Sequence, residues 1–158
     1  MNYYNYMLIV QQEVMKAIIK KQINIGYQED TENNIVILAE PTGQSCFCIP
    51  KSLFVLDTSK LKEMTSLVDM FNASIPGGHS INVTSEILQQ GKSTQYRKLY
   101  DPENDFEIWI NNKFLGYFKN YKNVMYNYFD FKGGKLVFAY DCKTYEVLGI
   151  TVRQKPKR

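Results

Sequence analysis

The chain is poor in the residues that carry most enzyme chemistry, with a single histidine among its 158 residues. A Ser–His or Cys–His pair would have to use His79, which follows Gly77-Gly78 in what we expect to be an exposed loop. The spacing supports no arrangement of nucleophile, base and orienting group around it. We therefore predict that the protein is not an enzyme and has no catalytic residue.

Cysteine is also scarce. Cys46, Cys48 and Cys142 are odd in number, so they cannot all pair with one another. Cys46 and Cys48 lie on a predicted strand and point to the same face, and their Cys-x-Cys spacing differs from the Cys-x2-Cys pattern of structural zinc sites. We predict reduced thiols in the core, no metal site and no cofactor.

Loops that hold phosphates or cations are missing from the sequence. Gly77-Gly78 and Gly133-Gly134 are isolated pairs, which suits the end of a helix and the turn of a hairpin. The acidic groups Glu29–Glu32 and Asp101–Glu107 lack the glycine and the twelve-residue frame of an EF-hand. Such groups are solvated turns or, alternatively, an acidic patch that docks on a basic partner.

Long apolar runs are absent as well. No stretch approaches the roughly 18 to 20 residues that span a bilayer, and Met1–Tyr6 lacks the basic start of a secretory signal. We therefore expect a cytoplasmic protein without a membrane partner.

What is present is typical of one globular domain. Hydrophobic residues make up 44% and charged residues 22% of the chain, and a net charge of +3 is too small to hold a polyanion unless the charges cluster. We expect a single α+β domain over residues 1–152 and a basic flexible tail over residues 153–158.

Apolar periodicity predicts two main helices and one short helix. The first covers Met7–Lys21. The second runs from Lys60 to about Asn72, capped by Thr58 or Ser59 and ended by Ile75–Gly78. Asn111 caps the short helix, which continues through Phe118.

Alternation predicts antiparallel strands, the first three forming a meander, because strands and helices do not alternate as a parallel sheet requires. Residues 89–94 are predicted to be a loose polar loop, and Trp109 is predicted to be at least partly buried. The strands are Ile23–Tyr27, Ile35–Ala39, Cys46–Ile49, Ser80–Glu86, Gln95–Tyr100, Phe106–Ile110, Lys135–Tyr140 and Glu146–Arg153.

Three stretches resemble a known family. Ile35–Pro50 reads as a strand, a tight turn and a strand ending in Phe-x-Ile-Pro, and it continues into Lys51–Leu61; Phe106–Phe118 reads FEIWINNKFLGYF, and Lys135–Val152 reads KLVFAYDCKTYEVLGITV. Together they resemble the small phage-type relatives of the bacterial DNA polymerase sliding clamp. The resemblance implies a clamp-like fold, of which this chain supplies one unit, and an association with DNA or the replication machinery.

In size and style the chain also resembles the type II anti-CRISPR proteins, with which phages inhibit host Cas9. The likeness lies in a short chain that is rich in asparagine and carries 12 tyrosines. It implies a host nuclease as partner, specifically Cas9 with its guide RNA. An AT-rich genome is an alternative explanation of the same composition.

In two segments, basic residues alternate with aromatic residues. This pattern is typical of a surface that binds nucleic acid or another protein, but also of a strand with half-buried tyrosines. The two segments are Tyr96–Tyr100 and Tyr117–Lys122. The first leads into the acidic run, and Tyr and Arg are the usual anchors of interfaces. We therefore predict a partner-binding surface formed by Tyr96, Arg97, Tyr100, Asp101, Glu103 and Asp105.

Two functions follow, and electrostatics separates them. A non-catalytic phage or mobile-element protein would inhibit a host nuclease by protein–protein contact. Alternatively, a clamp-like protein would associate with DNA through a basic helical face built from Lys16, Lys20 and Lys21 on the first helix and Lys60 and Lys62 on the second. DNA is a partner only under this alternative.

Overall fold

The computed structural model describes residues 5–21, 24–74 and 78–157. Strands account for 45% and helices for 23%, in one mostly antiparallel sheet with three helices among the described residues. The predicted combination of antiparallel strands with helices is confirmed at this coarse level. Strands nevertheless outweigh helices, so the fold is mostly β and not a balanced α+β arrangement.

The described elements alternate little between strand and helix. Each is named here in chain order: α1 Asn5–Ile19, β1 Gly26–Asp30, β2 Ile35–Ala39, β3 Ser45–Pro50, β4 Lys62–Glu63, α2 Leu67–Ser74, β5 His79–Gln90, β6 Thr94–Asp101, β7 Phe106–Asn111, α3 Asn112–Gly116, β8 Val124–Phe131, β9 Gly134–Asp141 and β10 Val147–Val152.

One sheet holds all ten strands in the order β4-β1-β2-β3-β10-β9-β8-β5-β6-β7. Among the described pairs only β1 and β4 run parallel. The sheet curls strongly. The curl is evident from a hydrogen bond in which Gln154, just after β10, donates its N–H to the carbonyl oxygen of Trp109 in β7 at 2.8 Å. The last strand in the order thus returns to the middle of the sheet, as accumulated strand twist allows.

The curled sheet buries aromatic and aliphatic side chains on both of its faces. Tyr6 and Val10 of α1 and Phe114 of α3 pack with Phe47 in the larger cluster. Phe71 of α2 belongs to a smaller cluster on the other face. This division follows strand alternation, which sends neighbouring residues to opposite faces.

Most local predictions are confirmed. The first helix, the order of the β1–β2–β3 meander, strands β2, β3, β6 and β7 and the β9–β10 pair agree with the predictions. The first strand is displaced from the predicted Ile23–Tyr27, because β1 spans Gly26–Asp30 and the expected turn residues Glu29 and Asp30 pair with Val36 and Ile35. Asn111 caps α3, since its Oδ1 accepts the N–H of Lys113 at 3.0 Å. Trp109 is buried, with 9% of its surface exposed.

The predicted second helix is wrong in its first half. Thr58–Lys60 is a short 3-10 turn capped by Asp57, and the α-helix begins only at Leu67. Backbone N–H groups of this segment form hydrogen bonds with the edge of the sheet and not within a helix. The N–H of Lys62 donates to the carbonyl of Ile25, and the N–H of Met64 donates to the carbonyl of Tyr27. Sheet pairing therefore outweighs the helical periodicity of this segment.

Two strand features were not predicted. No strand was predicted at β8, which pairs with β9 along its whole length around Gly133-Gly134. β5 continues to Gln90, so the predicted loose loop over residues 89–94 shrinks to a turn at residues 91–93. Ile23, residues 75–77, residues 1–4 and Arg158, on which parts of the predictions fall, lie outside the described residues.

Candidate functional site

Part of the predicted site lies on the outer side of β6. This strand sends Leu99 into the core, so Tyr96 and Tyr100 point the other way, and both are half-buried. Across the ladder, Tyr100 lies opposite Glu107 of β7. We call this surface the tyrosine–acid face and define it by Tyr96, Lys98 and Tyr100 of β6, Glu86 of β5, Glu107 of β7 and Asp105 of the β6–β7 turn.

Lys98 lies at the centre of the face between two carboxylates. Its Nζ is 3.1 Å from an oxygen of Glu107 and 3.3 Å from an oxygen of Glu86. These contacts, the one with Glu107 foremost, raise the pKa of Lys98 above its usual value. The single positive charge of Lys98 neutralises only one of the two carboxylates. Because Asp105 adds a third carboxylate, the face carries a net negative charge.

Tyr100 is held in a defined orientation. Its hydroxyl donates to Oδ1 of Asp105 at 2.5 Å, and this hydrogen bond raises the pKa of Tyr100. The ring also lies 6.0 Å from the Nζ of Lys98. A partner therefore meets a neutral, oriented phenol beside a carboxylate.

Arg97 lies on the opposite side of β6 and supports the strand pairing. Its Nη1 donates to the carbonyl of Thr84 at 3.0 Å, and its Nε donates to Oδ1 of Asn112 at 3.1 Å. Thr84 is in the bulge where the β5–β6 register shifts between Val83 and Ile87. The guanidinium thus braces the bulge that brings Glu86 to Lys98.

Asp101 is buried, with 2% of its surface exposed, and organises the β6–β7 turn. Its carboxylate accepts the Tyr128 hydroxyl at 2.7 Å, the Nδ2 of Asn104 at 2.8 Å and the N–H of Glu103 at 2.9 Å. The bond from Asn104 is the main cause of a pKa below the usual range for Asp101. Burial, aided by Asp101, raises the pKa of Tyr128 to about 12.

The comparisons with known proteins do not assign this surface. No protein-family model, no curated protein and no solved structure matches the chain.

We expect the free energy of unfolding to fall at acidic pH when Asp101 becomes protonated. Its pKa is lowered in the folded state, so its contribution to stability is present above the unfolded pKa of about 3.9 and is lost as the pH falls through the folded pKa. In urea unfolding we expect Asp101→Asn to be destabilising at neutral pH, with the gap to the unmodified protein closing below about pH 4.

Asp69→Asn is the matched control, because Asp69 is exposed on α2. It should not reproduce the pH-dependent gap. A gap for Asp101→Asn that stays constant from about pH 7 to about pH 3 would contradict this role of the carboxylate.

The structure thus separates the six predicted site residues into two groups. Tyr96, Tyr100, Glu103 and Asp105 reach the surface, whereas Arg97 and Asp101 bond inside the molecule. Glu86 was missed because only the bulged register of β5 brings it to Lys98, and nothing in the local pattern signals that register. Glu107 had a signal, since it ends the acidic run.

The remaining reactive side chains lie apart from this face. His79 is exposed, and its ring packs 5.2 Å from that of Tyr128. All three cysteines are free thiols, and burial raises the pKa of Cys46 and of Cys48 to about 12, so both are protonated at neutral pH.

The described residues contain no group of three or more His, Cys, Asp or Glu side chains arranged to hold a metal ion. None of the helices described is long and apolar enough to cross a membrane.

Proposed function

We propose that the chain is a non-catalytic phage or mobile-element protein that binds a host nuclease, Cas9 with its guide RNA, and inhibits it by protein–protein contact. The observation that carries the proposal is the tyrosine–acid face, where the half-buried Tyr96 and Tyr100 share one side of a three-stranded part of the sheet with the carboxylates of Glu86, Glu107 and Asp105. The likeness to type II anti-CRISPR proteins supplies the class of partner.

The chemistry of the face suits a nucleic-acid-handling partner. Proteins that bind DNA or RNA contact phosphates with Lys and Arg, so their binding channels are basic. A surface that carries Glu86, Glu107 and Asp105 complements such a channel and competes with its nucleic acid.

The tyrosines add affinity at low entropic cost. Tyr96 and Tyr100 are already half-buried in the free protein, and the Tyr100 hydroxyl is held by Asp105. Tyrosine anchors of this kind contribute much of the binding energy in interfaces, because little rotamer freedom is lost on binding.

The test is binding to Cas9 loaded with guide RNA, measured by biolayer interferometry and by inhibition of DNA cleavage. We expect Tyr96→Ala/Tyr100→Ala to raise the Kd at least about 30-fold, the effect of losing a hot spot of about 2 kcal/mol. Tyr145→Ala is the matched control, since Tyr145 is exposed on the β9–β10 loop, and it should leave the Kd within about twofold.

Two results would contradict the proposal. One is the absence of binding to the loaded nuclease together with binding to bare duplex DNA. The other is an equal loss of affinity in the Tyr145 control, which would show that the tyrosine–acid face is not the contact surface.

The alternative is a sliding-clamp-like DNA-associated replication accessory protein, with a fold like half of a clamp. Three lysines at the end of α1 favour it, namely Lys16, Lys20 and Lys21. Lys60 and Lys62, however, lie in the 3-10 turn and β4, and the only charged residue of α2 is Asp69. The predicted basic face is therefore not formed by two helices, although Lys60 and Lys62 still line one groove with Lys21. We prefer the nuclease proposal because Tyr96, Tyr100 and Asp105 of the predicted partner-binding surface reach one exposed part of the sheet.

A further inference from the structure

A groove lies where the end of α1 meets the segment before α2. Its volume is about 690 Å³, within the range of about 300 to 1,000 Å³ typical of ligand sites. The groove mixes aliphatic and basic side chains, namely Ile18, Ile19 and Lys21 from the end of α1 and Lys60, Leu61 and Lys62 from the facing segment.

The wall opposite α1 is held by the sheet. β4 pairs with β1 so that Lys62 lies opposite Gly26, and the Lys62 N–H donates to the carbonyl of Ile25 at 2.9 Å. The side chains of Ile18 and Leu61 pack against the main core cluster. The groove is therefore preformed, which lowers the cost of ordering it around a ligand.

The positive charge of the groove comes from lysines on two separate segments of the chain. Lys21 follows α1, where the helix dipole favours a cation. Lys60 and Lys62 belong to a different segment, yet they line the same groove, and all three lysines are exposed and without an ion pair to any described residue. An anionic ligand in the groove would therefore meet positive charge from both walls.

The acidic groups of this segment offset the charge only in part. The Asp57 carboxylate accepts the N–H of Ser59 at 3.0 Å, and this bond, together with the charge of Lys60, lowers the pKa of Asp57, so Asp57 offsets part of the charge of Lys60. Glu63 follows Lys62 in β4 and so points to the other side of the strand.

An apolar surface leads into the groove. Ile19 is 73% exposed, and Leu8 and Met15 are also exposed on α1. The three residues follow one another at near-helical spacing and form a stripe along the outer side of the helix.

We propose that this groove binds an acidic peptide segment of a partner protein, with carboxylates on Lys21, Lys60 and Lys62 and an apolar side chain against Ile18, Ile19 and Leu61. Single-stranded nucleic acid fits less well, because single strands bind on aromatic platforms and none of the described lining residues is aromatic. The proposal is independent of the tyrosine–acid face and of the nuclease.

Fluorescence anisotropy tests the proposal with a short fluorescein-labelled peptide of glutamates and a leucine pair. The groove is altered by Lys60→Glu/Lys62→Glu, which we expect to raise the peptide Kd at least about tenfold. Lys119→Glu/Lys122→Glu makes the same change of charge at exposed residues after α3, and it should change the Kd less than about threefold. Ile19→Ser should also weaken binding, unlike Tyr145→Ser.

Three results would overturn the proposal. The first is no saturable binding of the peptide to the unmodified protein. The second is the same loss of affinity in both charge-reversal variants, which would mean general charge attraction. The third is a labelled duplex DNA that binds more tightly than the peptide and loses affinity only in Lys60→Glu/Lys62→Glu, which would make the groove a DNA site.

Discussion

Phe47→Ala should lower the free energy of unfolding by about 3 to 5 kcal/mol, as large-to-small changes of buried phenylalanines do. Phe47 is 0% exposed at the centre of the main core cluster. Its ring centroid lies 4.5 Å from that of Tyr117, 5.8 Å from that of Phe114 and 6.0 Å from that of Phe118. Truncation removes the contact that joins β3 to α3 and the segment after it, and urea unfolding measures the loss.

Val55→Ala is the control for this experiment. Val55 is 75% exposed, so its truncation should change the free energy of unfolding by no more than about 0.5 kcal/mol. A loss below about 1 kcal/mol for Phe47→Ala would contradict a core in which α1, α3 and the sheet pack around this ring.

Gly78→Ala should be comparably destabilising, with an expected loss of about 3 kcal/mol or more. Gly78 has φ +50°, where a side chain costs about 1 to 2 kcal/mol. An added Cβ would also lie 2.2 Å from the backbone oxygen of Tyr128. Because that oxygen belongs to the backbone of β8, relief would require a shift of the β5–β8 pairing that starts at His79.

Gly43→Ala separates the two causes. Gly43 has φ +76°, but an added Cβ would meet no atom within 4 Å. It should therefore lose only about 1 kcal/mol, the cost of the left-handed backbone. Equal losses in the two variants, measured as midpoints of urea unfolding, would show that the contact with Tyr128 does not matter.

The sequence predicts elements well where one local pattern is decisive. α1 is such a case, because Val10, Val14 and Ala17 form its buried side and no competing strand lies nearby. Strand β7 is another, since the alternating sequence of Phe106–Ile110 predicted it, although Ile108, Trp109 and Ile110 are all buried in the structure. Such local patterns carry the information because 3.6- and two-residue periods are properties of the backbone itself.

Prediction failed where a distant part of the chain competes for the same backbone groups. Lys62 and Met64 lie in a segment with helical spacing, yet the carbonyls of Ile25 and Tyr27, just before and within β1, accept their N–H groups. Distant parts of the chain also engage two of the predicted partner-binding side chains. Arg97 and Asp101 are interface-type residues by composition, but Thr84, Asn112 and Tyr128 occupy their side chains inside the molecule.

The sequence by itself determined the scarcity of reactive side chains, the positions of most strands and the concentration of tyrosine and acid between residues 96 and 107. Only the tertiary structure decided which of these side chains share a surface. The reason is that strand register and the bulge between Val83 and Ile87 set which residues lie opposite each other. The groove is also decided by the tertiary structure. Lys60 and Lys62 are far from Lys21 in sequence, but they line the same groove because β4 pairs with β1 at the edge of the sheet.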